Sequence, residues 1–205
     1  MIQLKVLAPF GPRIAKLKFP HSVIKKINLE VDRILSQKNL IKKYDYSKNL
    51  VGQVKQEIQL PSIFIKKNIY KYISSTIKEY VKVSTGKLTR KVKILNLWIV
   101  RQYAHEYNPV HYHDGHISGV GYLKLPKQLN KDKKKLKTNG SIDFINGSKM
   151  FLSNSVFNHN PKIGDVILFP NYLMHTAYPF SVEGERRSFS FNVEIDSDIA
   201  NVFHK

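Results

Sequence analysis

Apolar residues recur at helical spacing in two segments of the first half of the chain. In the segment that begins at Ser22 they fall on one face of a predicted helix, and Pro20 supplies a start signal just before it. A second helix is predicted from Ser62 to about Val83, with Gly86 beyond it as a stop signal. The two stripes consist of Val23, Ile24, Ile27, Val31, Ile34 and Leu35, and of Ile65, Ile69, Ile73, Ile77 and Tyr80. We expect both stripes to face a hydrophobic core.

Between these helices, residues 37–60 are polar and mixed, and we expect a loop with short extended pieces there. Beyond Gly86 the pattern changes to short runs of β-branched and aromatic residues, which predict strands separated by turns. The predicted strands are 91–103, 116–125, 141–145, 149–152, 165–169, 173–178 and 186–195. Short strands in regular succession indicate a sandwich or barrel, here braced by the two helices.

We expect a single domain over residues 1–205, mostly β with N-terminal helices. Its parts are a helical support region (1–90), a β core (91–196) and a lysine-rich insert loop within that core (126–139).

The formal net charge of +19 raises the question of an acidic partner. The lysines are scattered, arginine is scarce by comparison, and no nucleic-acid-binding motif is found. We therefore interpret the charge as a generally basic surface, with nucleic acid as a partner that is not favoured. No apolar run approaches the roughly 18 residues that span a bilayer, and the sequence contains no cysteine. These features predict a cytoplasmic protein without a membrane partner or a thiolate metal site.

Three histidines and an aspartate lie within six residues in HYHDGHISGVGYL, residues 111–123. Side chains alternate along a strand, so His111 and His113 share a face and can bind one divalent ion together. His175, which follows a buried strand and a Pro-Asn turn, is the natural third ligand. Three nitrogen ligands leave coordination positions open, as in non-haem iron sites.

Arg186 and Ser188 lie two positions apart on a later predicted strand and also share a face. A guanidinium inside a barrel needs an anion, and a carboxylate binds it through two parallel hydrogen bonds. The sequence thus predicts an arginine suited to a dicarboxylate near a metal-binding triad.

At these residues the chain resembles the 2-oxoglutarate/Fe(II)-dependent dioxygenase superfamily, on its prolyl-hydroxylase-like side. The closest pattern is that of a bacterial and phage group with HxH followed by SG, GxLxF, FPxxLxH and RxSxxFN. This chain has HYHDGHISG, GSIDF (140–144), FPNYLMH (169–175) and RRSFSFN (186–192), with one residue fewer in the first gap. The resemblance covers roughly residues 93–196. It implies a double-stranded β-helix, the jelly-roll or cupin-like barrel.

The resemblance also implies roles for individual residues. His111 and His175 match the iron-binding histidines, and His113 stands where most of the superfamily has aspartate. Arg186 and Ser188 match the pair that holds the distal carboxylate of 2-oxoglutarate, and Tyr103 matches a tyrosine that contacts the same carboxylate. Asp114 is the alternative second metal ligand, although the spacing of two residues favours His113.

The resemblance implies an Fe(II)- and 2-oxoglutarate-dependent oxygenase, in particular a hydroxylase, which consumes O2 and releases succinate and CO2. Its prime substrate and oligomeric state are not assigned by the sequence. One alternative is a cupin-like metalloenzyme that uses the three histidines without 2-oxoglutarate. Another is a non-catalytic basic β-barrel that binds nucleic acid or a sugar.

Overall fold

The computed structural model describes residues 11–127, 129 and 139–201. Its strands are β1 (Ala15–Lys18), β2 (Gln56–Gln59), β3 (Val92–Gln102), β4 (Asn108–His111), β5 (Ile117–Lys124), β6 (Ile142–Ile145), β7 (Val156–His159), β8 (Asp165–Pro170), β9 (Met174–Ala177) and β10 (Arg186–Ile195). Its helices are α1 (His21–Leu35), α2 (Lys38–Tyr44), α3 (Ser62–Asn68), α4 (Tyr70–Thr85) and α5 (Ser197–Ala200), with a 3-10 turn at Ser47–Asn49. No helix in this described part of the chain is both long and apolar enough to cross a bilayer.

The strands form two antiparallel sheets, as expected for a sandwich or barrel. The larger sheet has the order β1-β8-β5-β10-β3-β2, and the smaller has the order β4-β9-β6-β7. Alternation along β8 divides its side chains between two hydrophobic clusters. Val166 and Leu168 pack with α1 and α4 on the outer face of the large sheet, whereas Ile167 and Phe169 pack between the two sheets. The helices therefore cover one face of the large sheet, and the small sheet covers the other.

Gly119 and Gly121 of β5 let the rings of β10 lie flat against the sheet. A Cβ added to Gly119 would lie 2.2 Å from the ring of Phe191, and one added to Gly121 would lie 2.3 Å from the ring of Phe189. Both distances are far below van der Waals contact, so the close approach that these glycines predict is present. This packing fixes the outer face of β10 to the helical layer.

Four features differ from the sequence-based predictions. The predicted second helix is interrupted at Ile69, whose φ of −122° and ψ of −34° separate α3 from α4. The segment 37–60, predicted as a loop with short extended pieces, also contains the helix α2, whereas β2 is such an extended piece. The prediction of a strand at 149–152 is wrong, because these residues form an exposed turn. The strands β1, β4 and β7 were not predicted, and residues 128 and 130–138 of the predicted lysine-rich insert lie outside the described residues.

Glu185 joins three neighbouring strands of the large sheet through buried charge. Its carboxylate accepts hydrogen bonds from Arg101 Nε on β3 at 2.7 Å, from Arg187 Nε on β10 at 3.0 Å and from Lys124 Nζ on β5 at 3.2 Å. Burial alone would raise the pKa of Glu185, but the hydrogen bonds and charges of Arg187 and Arg101 outweigh it and lower the pKa to about 2. The carboxylate is therefore ionised throughout the neutral range.

We expect Glu185→Gln to lower the free energy of unfolding at pH 7 by about 3 kcal/mol, because the partly buried Arg101 loses its carboxylate partner and the buried Arg187 keeps only Asp32. A carboxyl group with a lowered pKa stabilises the fold above its unfolded value, 4.5, and this contribution is lost as the pH falls towards about 2. The difference between the variant and the wild type should therefore shrink between pH 5 and pH 2. Urea unfolding at several pH values measures it.

The exposed neighbour Glu183 provides the control, since Glu183→Gln should change stability by less than about 0.5 kcal/mol. An effect of Glu185→Gln that is equally large at pH 7 and pH 2 would contradict the charge-based explanation.

Candidate metal centre

Two strands of the small sheet bring His111 and His175 side by side. The strands β4 and β9 are antiparallel, His111 pairs with His175 in their register, and the two ring centroids are 4.3 Å apart. His113 lies two residues beyond the end of β4, in the loop that leads to β5. Its backbone N–H donates to Asn171 O at 3.0 Å, and Asn171 Nδ2 donates to His113 O at 3.0 Å. The Pro-Asn turn after β8 therefore positions the third histidine.

The three imidazoles form a cluster in which one nitrogen of each ring lies within 4.8 Å of the others. The opposite nitrogen, Nδ1, is held by a carbonyl oxygen in every ring. The acceptors are Pro109 O at 2.7 Å from His111, Asn192 Oδ1 at 2.9 Å from His113, and Leu173 O at 2.9 Å from His175. A carbonyl oxygen can only accept, so Nδ1 carries the proton and Nε2 retains its lone pair. This is the tautomer that a metal ligand needs.

Burial keeps these imidazoles neutral. It lowers the pKa of His111, and it lowers the pKa of His113 to about 4, with the neighbouring His111 adding to the effect. The pKa of His175 falls to about 2, mainly through burial and further through His111 and His113. Neutral imidazole is the form that binds metal ions, so protons do not compete for these nitrogens at neutral pH.

The spacing of the nitrogens fits a transition-metal ion. His113 Nε2 and His175 Nε2 are 3.0 Å apart, and both present a lone pair to the same space. Two neighbouring ligands at about 2.1 Å from one ion, at right angles, are separated by about 3 Å. Asp114 is exposed, and the cluster found among the described histidine and acidic residues contains the three histidines without it.

Aromatic rings enclose two of the histidines. His175 is 5% exposed and lies against Phe144 and Phe169, with ring centroids 5.8 Å and 4.8 Å away. The ring of His113 stacks on Trp98 of β3, with centroids 5.5 Å apart. These contacts fix the ring orientations and exclude water from the sides of the cluster.

A narrow cavity between the sheets leads from the histidines to Arg186. All three histidines line it, together with Arg186 and Ser188. The Arg186 side chain is 3% exposed, and among the described residues no carboxylate lies within ion-pair distance of it. Its Nε has no hydrogen-bond partner there. The site thus holds a buried positive charge without a protein anion.

Two further residues surround this guanidinium. Arg186 Nη1 donates to Gln102 Oε1, and the guanidinium carbon lies 5.3 Å above the ring of Tyr122. The Tyr122 hydroxyl is buried and makes no hydrogen bond of ordinary geometry within the described part of the chain. Burial raises its pKa, an increase that the charge of Arg186 opposes. Tyr122 therefore lies beside the guanidinium, although it is not one of the residues that line the cavity.

The neighbouring Arg187 differs from Arg186 because carboxylates of the protein pair with it. It points to the outer face of the large sheet, as alternation predicts, but it is 4% exposed and not a surface residue. Glu185 and Asp32 of α1 both pair with it, the latter at 2.9 Å. Two adjacent arginines are therefore similarly buried, and in the described part of the chain only Arg187 is paired with carboxylates.

The structure brings most of the predicted site residues together, with one exception. His111, His113, His175, Arg186 and Ser188 all line the same cavity. Tyr103 does not line it: its hydroxyl accepts a hydrogen bond from Arg101, beside which its ring also lies.

Sequence reasoning missed three residues of this site, Tyr122, Gln102 and the role of Asn192. Tyr122 lies in the quoted histidine segment, and its position on a strand with Val120 could have indicated its face. Asn192 shares a face with Ser190 in the RRSFSFN segment. Its contact with His113 could not be predicted from a local pattern, because the two residues are 79 positions apart in the sequence.

Comparisons with known proteins identify a matching family model and structures of similar fold. Residues 96–192 match a family model described as "Putative 2OG-Fe(II) oxygenase". No curated protein matches the sequence.

Several solved structures share the fold. A prolyl-4-hydroxylase from Pseudomonas putida superposes with a TM-score of 0.59 at 11% identity, covering 87% of this chain and 91% of its own. The collagen prolyl hydroxylase of Paramecium bursaria Chlorella virus-1, solved with 2-oxoglutarate, gives 0.53 at 14% identity, with 88% and 94% covered. HygX from Streptomyces hygroscopicus, solved with nickel and 2-oxoglutarate, gives 0.52 at 12% identity, with 88% and 82% covered. The predicted double-stranded β-helix is thereby confirmed.

We expect Asn192→Ala to weaken the binding of a divalent transition metal by about 10- to 100-fold, because His113 loses the acceptor that fixes its tautomer and ring orientation. Anaerobic titration with Co(II), followed by its visible absorption, measures the affinity. Asn68→Ala, which removes an asparagine from α3 far along the chain, serves as the control and should leave the affinity unchanged. Equal affinities for Asn192→Ala and the wild type would show that His113 does not depend on this contact.

Proposed function

We propose a role for each residue of the site, on the premise that this chain is a 2-oxoglutarate- and Fe(II)-dependent oxygenase whose residues 96–192 belong to the matched family. His111, His113 and His175 hold the Fe(II) through Nε2. Arg186 and Ser188 hold the distal carboxylate of 2-oxoglutarate, with the Tyr122 hydroxyl beside them. The reaction is the hydroxylation of a substrate, with release of succinate and CO2.

The observation that carries this proposal is the unpaired charge of Arg186. Burying a guanidinium without an anion is costly. Arg186 is nevertheless buried, and it lines the same cavity as the three histidines. A bound dicarboxylate would explain this position, since one carboxylate would reach the guanidinium while the other end of the molecule reaches the metal. A cupin-like enzyme without this cosubstrate would have no use for the cation.

Iron held by the three histidines would activate O2, and the surrounding residues keep these ligands oriented and dry. The carbonyl acceptors on Nδ1 keep the three lone pairs directed at one point. Phe144 and Phe169 exclude water from the flank of His175. Gln102 accepts from Arg186 and leaves Nε of that guanidinium for the cosubstrate. No protein general base is required, because no side chain has to abstract a proton from the substrate.

A triad of three neutral imidazoles has a consequence for binding order. A carboxylate in place of His113 would offset part of the metal's charge, whereas three imidazoles offset none. The doubly negative cosubstrate then supplies the anionic ligand atoms of the ion. Metal and 2-oxoglutarate should therefore strengthen each other's binding, and by the same factor.

We expect Arg186→Met to weaken 2-oxoglutarate binding by about 100-fold or more, since each hydrogen bond to a charged group contributes ~1.5–3 kcal/mol. Methionine keeps an apolar chain of similar length in the cavity. The measurement is anaerobic titration of the Fe(II)-loaded protein with 2-oxoglutarate, followed by the visible charge-transfer absorption of the chelate.

Arg90→Met, at an exposed position, should bind 2-oxoglutarate as the wild type does. If the wild type binds Fe(II) but 2-oxoglutarate changes neither its absorption nor its affinity, the cupin-like alternative replaces this proposal.

We expect His113→Ala to weaken Fe(II) binding by at least 10-fold and Asp114→Asn to leave it unchanged, because only the former side chain lies in the cluster. His113→Asp should bind Fe(II) more tightly than the wild type when 2-oxoglutarate is absent, since it adds a negative charge. Equilibrium titration with Fe(II), with and without the cosubstrate, separates these effects. Loss of binding in Asp114→Asn with retention in His113→Ala would assign the second ligand to Asp114 instead.

A further inference from the structure

A second pocket opens on the other side of the metal-binding histidines. It has a volume of about 170 Å³ and shares Trp98, Asn108, His111 and His113 with the cavity that leads to Arg186. Its remaining walls come from the segment 46–52, from β2 and from the loop after β4. A group held in this pocket would lie beside the metal, opposite the cosubstrate.

Glu57 is the unusual residue of this pocket. It is on β2, paired with Val100 of β3, so its side chain lies on the face of the sheet that also carries Trp98 and Val100. Glu57 is 1% exposed, and its Oε2 has no hydrogen-bond partner among the described residues. Burial raises its pKa to about 7, with a further increase from the nearby charge of Asp45. No described cation forms an ion pair with this carboxylate.

Two asparagines add further acceptors without partners. The Oδ1 atoms of Asn96 and Asn108 are buried and make no hydrogen bond within the described chain. Asn108 Oδ1 and Glu57 Oε1 both lie 3.0 Å from one point, the place that a Cβ on Gly52 would take. Leaving several buried acceptors unsatisfied costs about 1–3 kcal/mol each, which a ligand with N–H donors would recover.

The charge of the pocket is opposite to that of the molecule. The chain as a whole carries +19, yet the described residues that line this pocket include two carboxylates, Glu57 and Asp114, and no lysine or arginine. The aromatic rings of Tyr46 and Trp98, whose centroids are 6.3 Å apart, complete the wall. Carboxylate, amide oxygens and aromatic faces together favour a cation with several N–H donors.

We propose that this pocket binds the prime substrate through a protonated alkylamine group, which donates hydrogen bonds to Glu57 and Asn108. The volume is below the roughly 300–1,000 Å³ of pockets for drug-sized ligands, so it suits one side-chain-sized group and not a whole large molecule. The amine can belong to a free small molecule or to a lysine side chain of a peptide. As the site of the prime substrate, this assignment rests on the function proposed above.

Trp98 makes the test direct, because it is the only tryptophan of the chain and it lines the pocket. The metal-free protein is titrated with n-butylamine and with Nα-acetyl-lysine-N-methylamide, and its tryptophan fluorescence is followed. n-Butanol and butyrate are the neutral and anionic comparisons. We expect both amines to bind at least 10-fold more tightly than n-butanol, and butyrate not to bind. Equal affinity of the two amines indicates recognition of the ammonium group alone, and tighter binding of the lysine derivative indicates a peptide substrate.

Two variants examine the named contacts. Glu57→Gln keeps the shape of the side chain and should weaken amine binding by at least 10-fold, and Gly52→Ala should weaken it by placing a methyl group between the two oxygen atoms. Glu183→Gln, on the surface, should not change it. An affinity for n-butylamine that is unchanged in Glu57→Gln, or equal to that for n-butanol, would overturn the proposal.

A second measurement tests whether the amine lies next to the metal. With Mn(II) bound to the protein, the methylene proton lines of n-butylamine should broaden in the wild type and not in Glu57→Gln. If Mn(II) does not bind, the proposed metal centre fails while the fluorescence result on the amine stands. If Mn(II) binds and the lines do not broaden, the assignment of the pocket to the prime substrate fails alone.

Discussion

The alternation of side chains along β10 is the constraint on which the other parts of the site depend. One face of this central strand carries Phe189, Phe191 and Val193, which pack against the helical layer. The other face carries Arg186, Ser188 and Asn192, which line the cavity or orient His113. Because the period is two, a slip of one residue would exchange the faces and bury the charge among the helices. The rings of the two phenylalanines against Gly119 and Gly121 hold the register.

This division explains how the protein accommodates buried charge on both sides of one strand. On the helical side, Arg187 is balanced by Glu185 and Asp32, so its burial stabilises the contact between the sheet and α1. On the cavity side, the charges of Arg186 and Glu57 have no protein partner within the described residues, and they lie on opposite sides of the histidines. With the roles proposed above, the site would present a cation to the cosubstrate and a carboxyl group to the substrate. A charged group that would destabilise a packed core can contribute to the free energy of ligand binding when its ligand is present.

The sequence predicted the parts of this arrangement that have local patterns. Strands β3, β5, β8 and β10 are long or strongly apolar, and the histidines and Arg186 stand in recognisable segments. Prediction was poor where the pattern is short or misleading. Residues 149–152 are apolar but exposed, so hydrophobicity suggested a strand that burial does not support. The four-residue strand β2 carries Glu57 into the site, and no local pattern distinguishes it from a loop.

Long-range contacts account for the rest. The family resemblance implied that Tyr103 lies near the cosubstrate, but its hydroxyl is hydrogen-bonded to Arg101 and it does not line the cavity. Tyr122 and Asn192 reach the site through pairing of β5 with β10, which a single sequence does not specify.

The position of His113 means that a bound metal would connect the two sheets of the fold. His111 and His175 belong to the small sheet, whereas His113 is bound to the large one, through Asn192 of β10 and through the ring of Trp98 on β3. Packed aromatic side chains, among them Phe144 and Phe169 beside His175, hold the two sheets together. An ion held by all three histidines would add coordinate bonds that span the two layers. The free energy of metal binding would then contribute to the stability of the contact between the two sheets.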